Sequence, residues 1–194
     1  MKLPDPKHQG KTSVEQTIFQ RRSIRNYTDD QLSLDDVSQI LWAAQGKTSD
    51  WGGRTVPSAG ATYPLEIYLV VGNVKDLAPG VYHYHWDKNE LEKLSDKDIR
   101  RDLASAAWRQ LFIAQAPISI IIAADYNRTT KQYGRLGVRY VDTEVGHCGQ
   151  NIYLQCEALG LGTVAIGAFS EDHLSQIFKI KEEPIYIMPI GKKK

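Results

Sequence analysis

Three guanidinium groups and a hydroxyl fall within five residues at Arg21-Arg22-Ser23-Ile24-Arg25. Arginine offers a planar fork of donors that matches phosphate oxygens, and a serine hydroxyl adds one more bond. The chemistry this cluster suits is the binding of a phosphate-bearing ligand. The 194-residue chain carries a formal net charge of only +1, so the cluster is not one patch of a generally basic surface. Taken alone, the same residues would serve as a solvated basic stretch leaving a helix. They have companions. Pro57-Ser58-Ala59-Gly60, continuing through Ala61 to Pro64, is a small-residue loop where backbone can approach a flat ring closely. Ala165-Ile166-Gly167-Ala168 lies in a second such loop, between Gly160 and Phe169. Each loop by itself is ordinary turn chemistry.

Other catalytic signatures are missing. There is no Gly-x-Gly-x-x-Gly after a strand, no Walker-type loop and no serine at a strand-to-helix elbow. No metal set is expected from the histidines either. His83 and His85 share one face of a strand and could bind a metal in principle. Among Tyr82, Tyr84 and Trp86 they read as surface residues of a hairpin. His147 has no second ligand at ligand spacing. Phosphate binding with no evident nucleophile or metal points to an organic cofactor that brings its own reactivity.

The elements that must position these residues follow from periodicity and punctuation. Residues 1–12 are polar and proline-bearing and read as a loose arm, and 13–194 as a single domain. Ser13 and Ser33 cap two helices, to about Gln20 and Gly46, and Lys47 to Gly60 reads as a long loop. Glu66–Val71 is a buried strand, and Val81–Trp86 with Leu91–Leu94 a hairpin. A helical region broken around Ser105 spans Lys97–Ala114. The nearly all-apolar Pro117–Ala124 reads as a central strand. A long helix from about Arg139 to Leu159 carries apolar residues at three- and four-residue steps, with Gly146 and Gly149 leaving room for close helix contact. A strand at Thr163–Ile166, a helix at Ser170–Phe178 and a strand at Ile185–Ile190 complete an α+β class, a mixed sheet flanked by helices.

Composition is that of a soluble globular protein, 42% apolar and 24% charged. No basic stripe favours nucleic acid, no apolar run suits a bilayer, and Met1–Pro6 lacks an apolar signal core. A cytoplasmic location is the expectation. Cys148 and Cys156 lie too far apart on one helix for a disulfide and are expected as two buried thiols.

Taken in order, these segments resemble the FMN-dependent nitroreductase superfamily from about Thr17 to Gly191. The branch most similar is that of the azoline-oxidising dehydrogenases of thiazole and oxazole peptide biosynthesis. The matching residues are Arg21–Arg25, Leu41–Gly46, Pro57–Gly60 with Pro64–Glu66, Gly146-His147 with Gln150-Asn151, Glu157–Gly162 and Ile166–Phe169. The resemblance implies a mainly antiparallel sheet and a long central helix at the interface of a homodimer with two FMN sites. It implies ping-pong hydride transfer from NADH or NADPH through the flavin to a small organic acceptor. By the same resemblance Arg21, Arg22, Ser23 and Arg25 bind phosphate and ribityl, and Pro57, Ser58, Ala59 and Gly60 flank the flavin of the partner subunit. Ala61 stands where many members have an asparagine, so backbone amides or Arg54 would meet the pyrimidine ring. Gly167 N–H would face flavin N5, with Ala165, Ile166 and Ala168 beside it, and Lys192 would reach the phosphate. No side chain need be catalytic. Two alternatives stay open: a flavin-dependent oxidase of azoline heterocycles, for which Lys131, Tyr133 and Tyr140 are nearby bases, and a non-catalytic FMN sensor or store.

Overall fold

The computed structural model describes residues 1–194. Ser13 Oγ accepts from Gln16 N–H and opens α1 (Val14–Gln20). Ser33 and Asp36 bond each other's backbone in a capping box at the head of α2 (Leu34–Gln45). Three strands follow as an antiparallel meander: β1 (Leu65–Val71), β2 (Gly80–His85) and β3 (Glu90–Ser95). The helical region is broken between α3 (Arg100–Ala106) and α4 (Phe112–Gln115), where Trp108 and Arg109 both take positive φ, and not at Ser105, which lies within α3. Then come β4 (Ile118–Ala124), α5 (Tyr126–Tyr133), α6 (Leu136–Ala158), β5 (Leu161–Thr163), α7 (Glu171–Phe178) and β6 (Glu183–Lys192).

The six strands form one sheet in the order β3-β2-β1-β4-β6-β5. Every neighbouring pair is antiparallel. Parallel pairing survives only as isolated bridges, Ser23 with Thr163 and Leu32 with Val74. The fold is α+β, with helices on both faces. One core lies between the sheet and α2 and α6, through residues such as Ile40, Leu41, Val145 and Ile152. The other lies under α3, α4 and α7, through Leu103, Ile113, Leu174 and Phe178. β4 is buried at every position because it is central and covered on both faces, as its apolar run requires. No helix is long and apolar enough to cross a membrane.

Three details depart from expectation. Residues 1–7, read as part of a loose arm, are docked. Leu3 is buried, its N–H donates to Asn89 O, and the N-terminal ammonium donates to Leu91 O. The arm thereby extends the edge of β3. Helix α5 escapes a periodicity argument because Thr129 is its one buried residue. Asp125 caps it, and Thr129 Oγ1 lies 2.7 Å from Thr62 Oγ1. The strand expected at Thr163–Ile166 instead ends at Thr163. Beyond it the Ala165 N–H turns to the Tyr153 hydroxyl at 2.8 Å, leaving the ladder.

Candidate functional site

The arginine-serine segment is fixed by its neighbours along the far edge of the sheet. Ser23 bridges Thr163, and Ile24 N–H donates to Thr163 O at 2.9 Å. Further on, Thr28 N–H donates to Lys192 O, and the buried Tyr27 hydroxyl lies 2.7 Å from Ile24 O and 3.1 Å from Pro189 O. The chain from 23 to 28 is therefore zipped to the ends of β5 and β6. Close approach here needs Gly162, since a Cβ at that position would lie 2.7 Å from Ile24.

The four polar side chains of the motif do different things. Arg21 lies over the Tyr153 ring, 5.1 Å from its centroid. Arg22 turns back, its Nη1 donating to Phe19 O and Arg21 O at the end of α1. Ser23 Oγ sits 3.0 Å from the Tyr153 hydroxyl. Arg25 is exposed and, like Arg21, makes no ion pair.

Tyr153, on α6, joins this segment to the second loop. Its hydroxyl meets Ser23 on one side and accepts from Ala165 N–H on the other. Ile166 is pinned to Ile187 by a reciprocal pair of bonds at 3.0 Å, and then Gly167 and Ala168 turn outward into solvent. The Gly167 N–H has no partner in the chain. The C-terminal lysines arrive on the same ladder. Lys192 Nζ lies 3.7 Å from Asp30, and Lys193 Nζ is held by both Glu157 oxygens at 2.6 and 2.7 Å. Two unpaired guanidinium groups, a serine hydroxyl and an outward amide thus share one edge of the molecule. That donor set fits a ligand with a phosphate at one end and an acceptor atom at the other.

Pro57–Gly60 is not part of this group. Ser58 Oγ accepts from Tyr63 N–H, closing a turn in which Gly60, Ala61 and Tyr63 have φ of 58°, 54° and 44°. Positive φ at alanine and tyrosine is strained backbone, held by the neighbouring packing. A Cβ on Gly60 would lie 2.5 Å from the Tyr133 hydroxyl. Ser58 also flanks Glu144 of α6. Glu144 and Tyr153 are nine residues apart on one helix, about 14 Å along its axis. Within one chain the two halves of the expected cradle are therefore separate.

The floor beneath this turn is polar and buried. Glu144 is 3% exposed and Gln45 1%. Arg54 donates to Gln45 Oε1 at 3.3 Å and is sandwiched between the rings of Tyr63 (4.4 Å) and Trp86 (4.0 Å). Glu144 Oε1, Gln45 Nε2 and Arg54 Nε have no hydrogen-bond partner. Burial lifts the Glu144 carboxyl from the ordinary carboxylate range to about 7, with Ser58, Arg54 and Gln45 opposing the shift. The same burial pulls the Arg54 guanidinium down.

A cleft of about 750 Å³ runs between the arm, α1, α2 and α6 past His8, Gln39, Trp42 and Asn151. None of the thirteen expected binding residues lines it. Two open faces adjoin it. Helix α1 buries Thr17 and turns Val14, Ile18 and Phe19 outward, and α6 exposes a stripe through Arg139, Thr143, Gly146 and Gln150. Gln45 lies inside the Leu41–Gly46 match, although that match assigns it no role, and motif reading missed Tyr153 and Glu144. Their only sequence signal is a polar side chain among the apolar positions of a helix.

The family model described as Nitroreductase family matches residues 18–192. A protein of Methanocaldococcus jannaschii, MJ1384, named as a candidate nitroreductase, is 48% identical over 193 residues, covering 100% of this chain and 96% of its own length. The FMN reductase [NAD(P)H] of Bacillus subtilis is 23% identical over 190 residues, 92% of this chain and 63% of that protein. Among solved structures, a candidate nitroreductase from Ralstonia eutropha JMP134 superimposes with a TM-score of 0.88 at 28% identity, covering 100% of this chain and 89% of that one.

Proposed function

The chain belongs to the nitroreductase family, and from that premise we propose that it is an FMN-dependent oxidoreductase working as a homodimer. The observation that carries the reading is the junction at Tyr153, where the arginine-serine segment and the Ala165–Ala168 turn meet through one hydroxyl. FMN held there would supply the redox chemistry, hydride transfer from NADH or NADPH to a small organic acceptor. Arg21, Arg25 and Ser23 hold the phosphate end, with Arg22 bracing the helix end before them. The Gly167 N–H, unpaired within the chain, would be free to donate to the ring. Pro57, Ser58, Ala59 and Gly60 cover the ring of the other protomer, which accounts for their distance from Arg21 within one chain. The strained backbone of Ala61 and Tyr63 fixes the shape of that cover. Lys192 adds positive charge beside the phosphate.

A second reading has one observation behind it. Tyr133 sets its hydroxyl against Gly60 and its ring 5.2 Å from Tyr140, so a phenol stands at the loop that covers the flavin. That is a position for a base in an azoline oxidase.

The test is the absorbance spectrum of the purified protein, then anaerobic addition of NADH and NADPH. Flavin bands that bleach with either donor support the first reading. Bands that resist both, with turnover of an azoline-bearing peptide, support the second. A colourless protein that takes up no added FMN overturns both.

A further inference from the structure

We propose that His83, His85 and Glu92 form a binding site for a divalent transition-metal ion, zinc in the first place, on the outer face of the β2–β3 hairpin. His83 and His85 alternate along β2 and so project from the same face of the sheet. The fold adds a third donor that strand spacing alone does not reveal. β3 pairs antiparallel with β2 so that Glu92 lies opposite His83, and the ligand atoms of His83, His85 and Glu92 all fall within 4.8 Å of one another. Tetrahedral zinc with bonds near 2.0–2.1 Å needs donors about 3.4 Å apart. Rotation of the half-exposed His85 and Glu92 side chains spans that difference.

The surroundings are arranged as they are around a metal-bound imidazole. The His83 ring is stacked on Tyr68, with centroids 4.7 Å apart and planes 23° apart, which fixes its orientation. His83 Nε2 lies 2.9 Å from Glu66 Oε2, a carboxylate that Arg128 also holds. A carboxylate behind a ligating histidine sets its tautomer and raises its basicity. His85 Nε2 lies 2.8 Å from Glu92 Oε2, so that pair already stands at the distance of a shared proton that a metal would displace. Glu66, Glu90 and Glu92 share this face. Arg128 is an opposing cation, engaged by Glu66 and Asp125, and Arg54 also lies within electrostatic reach of Glu66. Two neutral imidazoles, one carboxylate and an open position for water make a donor set that suits zinc.

The site is at the β3 side of the sheet, whereas the arginine-serine segment and the Ala165–Ala168 turn are at the β5–β6 side. It needs no part of the flavin reading. Its effect is mechanical: an ion bridging β2 and β3 fastens the outermost hairpin, on whose edge the N-terminal arm is also docked.

The experiment is titration of the full-length, EDTA-treated protein with zinc chloride by calorimetry, alongside thermal unfolding. The expected result is one saturable zinc per chain and a higher unfolding temperature with zinc. His85→Gln and Glu92→Gln should abolish both, and Glu66→Gln should weaken binding about 10-fold to 100-fold. Cobalt(II) added to the wild-type chain reports independently of any variant, since low-symmetry four-coordinate cobalt gives intense visible bands and aqueous octahedral cobalt weak ones. Absence of stoichiometric binding, binding that both ligand variants retain, or a cobalt spectrum like that of the aqueous ion would overturn the site.

Discussion

Tyr153 and Arg21 are the residues on which the phosphate end of the site turns. The tyrosine hydroxyl serves two groups at once, Ser23 Oγ and Ala165 N–H, so removing it leaves both without that partner. Tyr153→Phe is expected to lower folding stability by about 1–3 kcal/mol in chemical denaturation and to weaken FMN binding severalfold. Arg21→Ala removes a charged donor and should weaken FMN binding by about 1.5–3 kcal/mol, read from flavin fluorescence quenching; unchanged affinity would remove Arg21 from the site. Glu144 sets a pH dependence. Its carboxyl is near 7 in the folded chain and in the ordinary carboxylate range once unfolded, so between about pH 4.5 and 7 the folded state binds more protons. Stability from this group is present at the acid end of that window and is lost as pH rises through 7. Glu144→Gln keeps the shape and removes the charge. Its unfolding free energy should vary less across the window, by on the order of 2 kcal/mol.

At the scale of elements, the edge made by β5, β6 and residues 23–28 decides whether the arginine cluster is presented at all. Gly162 lets Ile24 lie against β5, since any Cβ there would collide with the Ile24 side chain. Gly162→Ala is expected to push the segment off Thr163, costing about 1–3 kcal/mol of stability. FMN affinity should fall with it, although no ligand-facing side chain has changed. A crystal structure of the variant with the Ser23–Thr163 bridge intact would contradict this. Helix α6 is the other organising element. Its buried side carries the core through Val141, Val145, Cys148 and Ile152, while Glu144 and Tyr153 reach the two halves of the site.

For the whole molecule, the separation of Pro57–Gly60 from Arg21–Arg25 is the strongest reason to expect two chains. The outward apolar side chains of α1 and the open stripe of α6 are surfaces that a second copy would cover. Gly146 gives a clean test, because a Cβ there meets nothing within 4 Å and a larger side chain leaves the isolated fold undisturbed. Gly146→Arg is expected to convert a dimer to a monomer in sedimentation velocity and to abolish FMN binding with it. A monomeric variant that still binds FMN at wild-type strength would place the whole site in one chain.

The sequence alone carried the helices and strands whose burial is periodic, the central strand from its unbroken apolar run, and the arginine-serine and small-residue segments. These are properties of a residue and its near neighbours. It missed α5, whose one fully buried residue is Thr129, and it read residues 1–7 as loose because docking on the edge of β3 rests on backbone bonds that leave no pattern in side-chain type. Tertiary structure decided the rest. It brought Tyr153 between two segments more than a hundred residues apart in sequence, gathered Gln45, Arg54 and Glu144 under the Ser58 turn, and set Glu92 across from the two histidines of β2. Such meetings depend on strand register and helix packing, which are set by the whole core at once and by no local pattern.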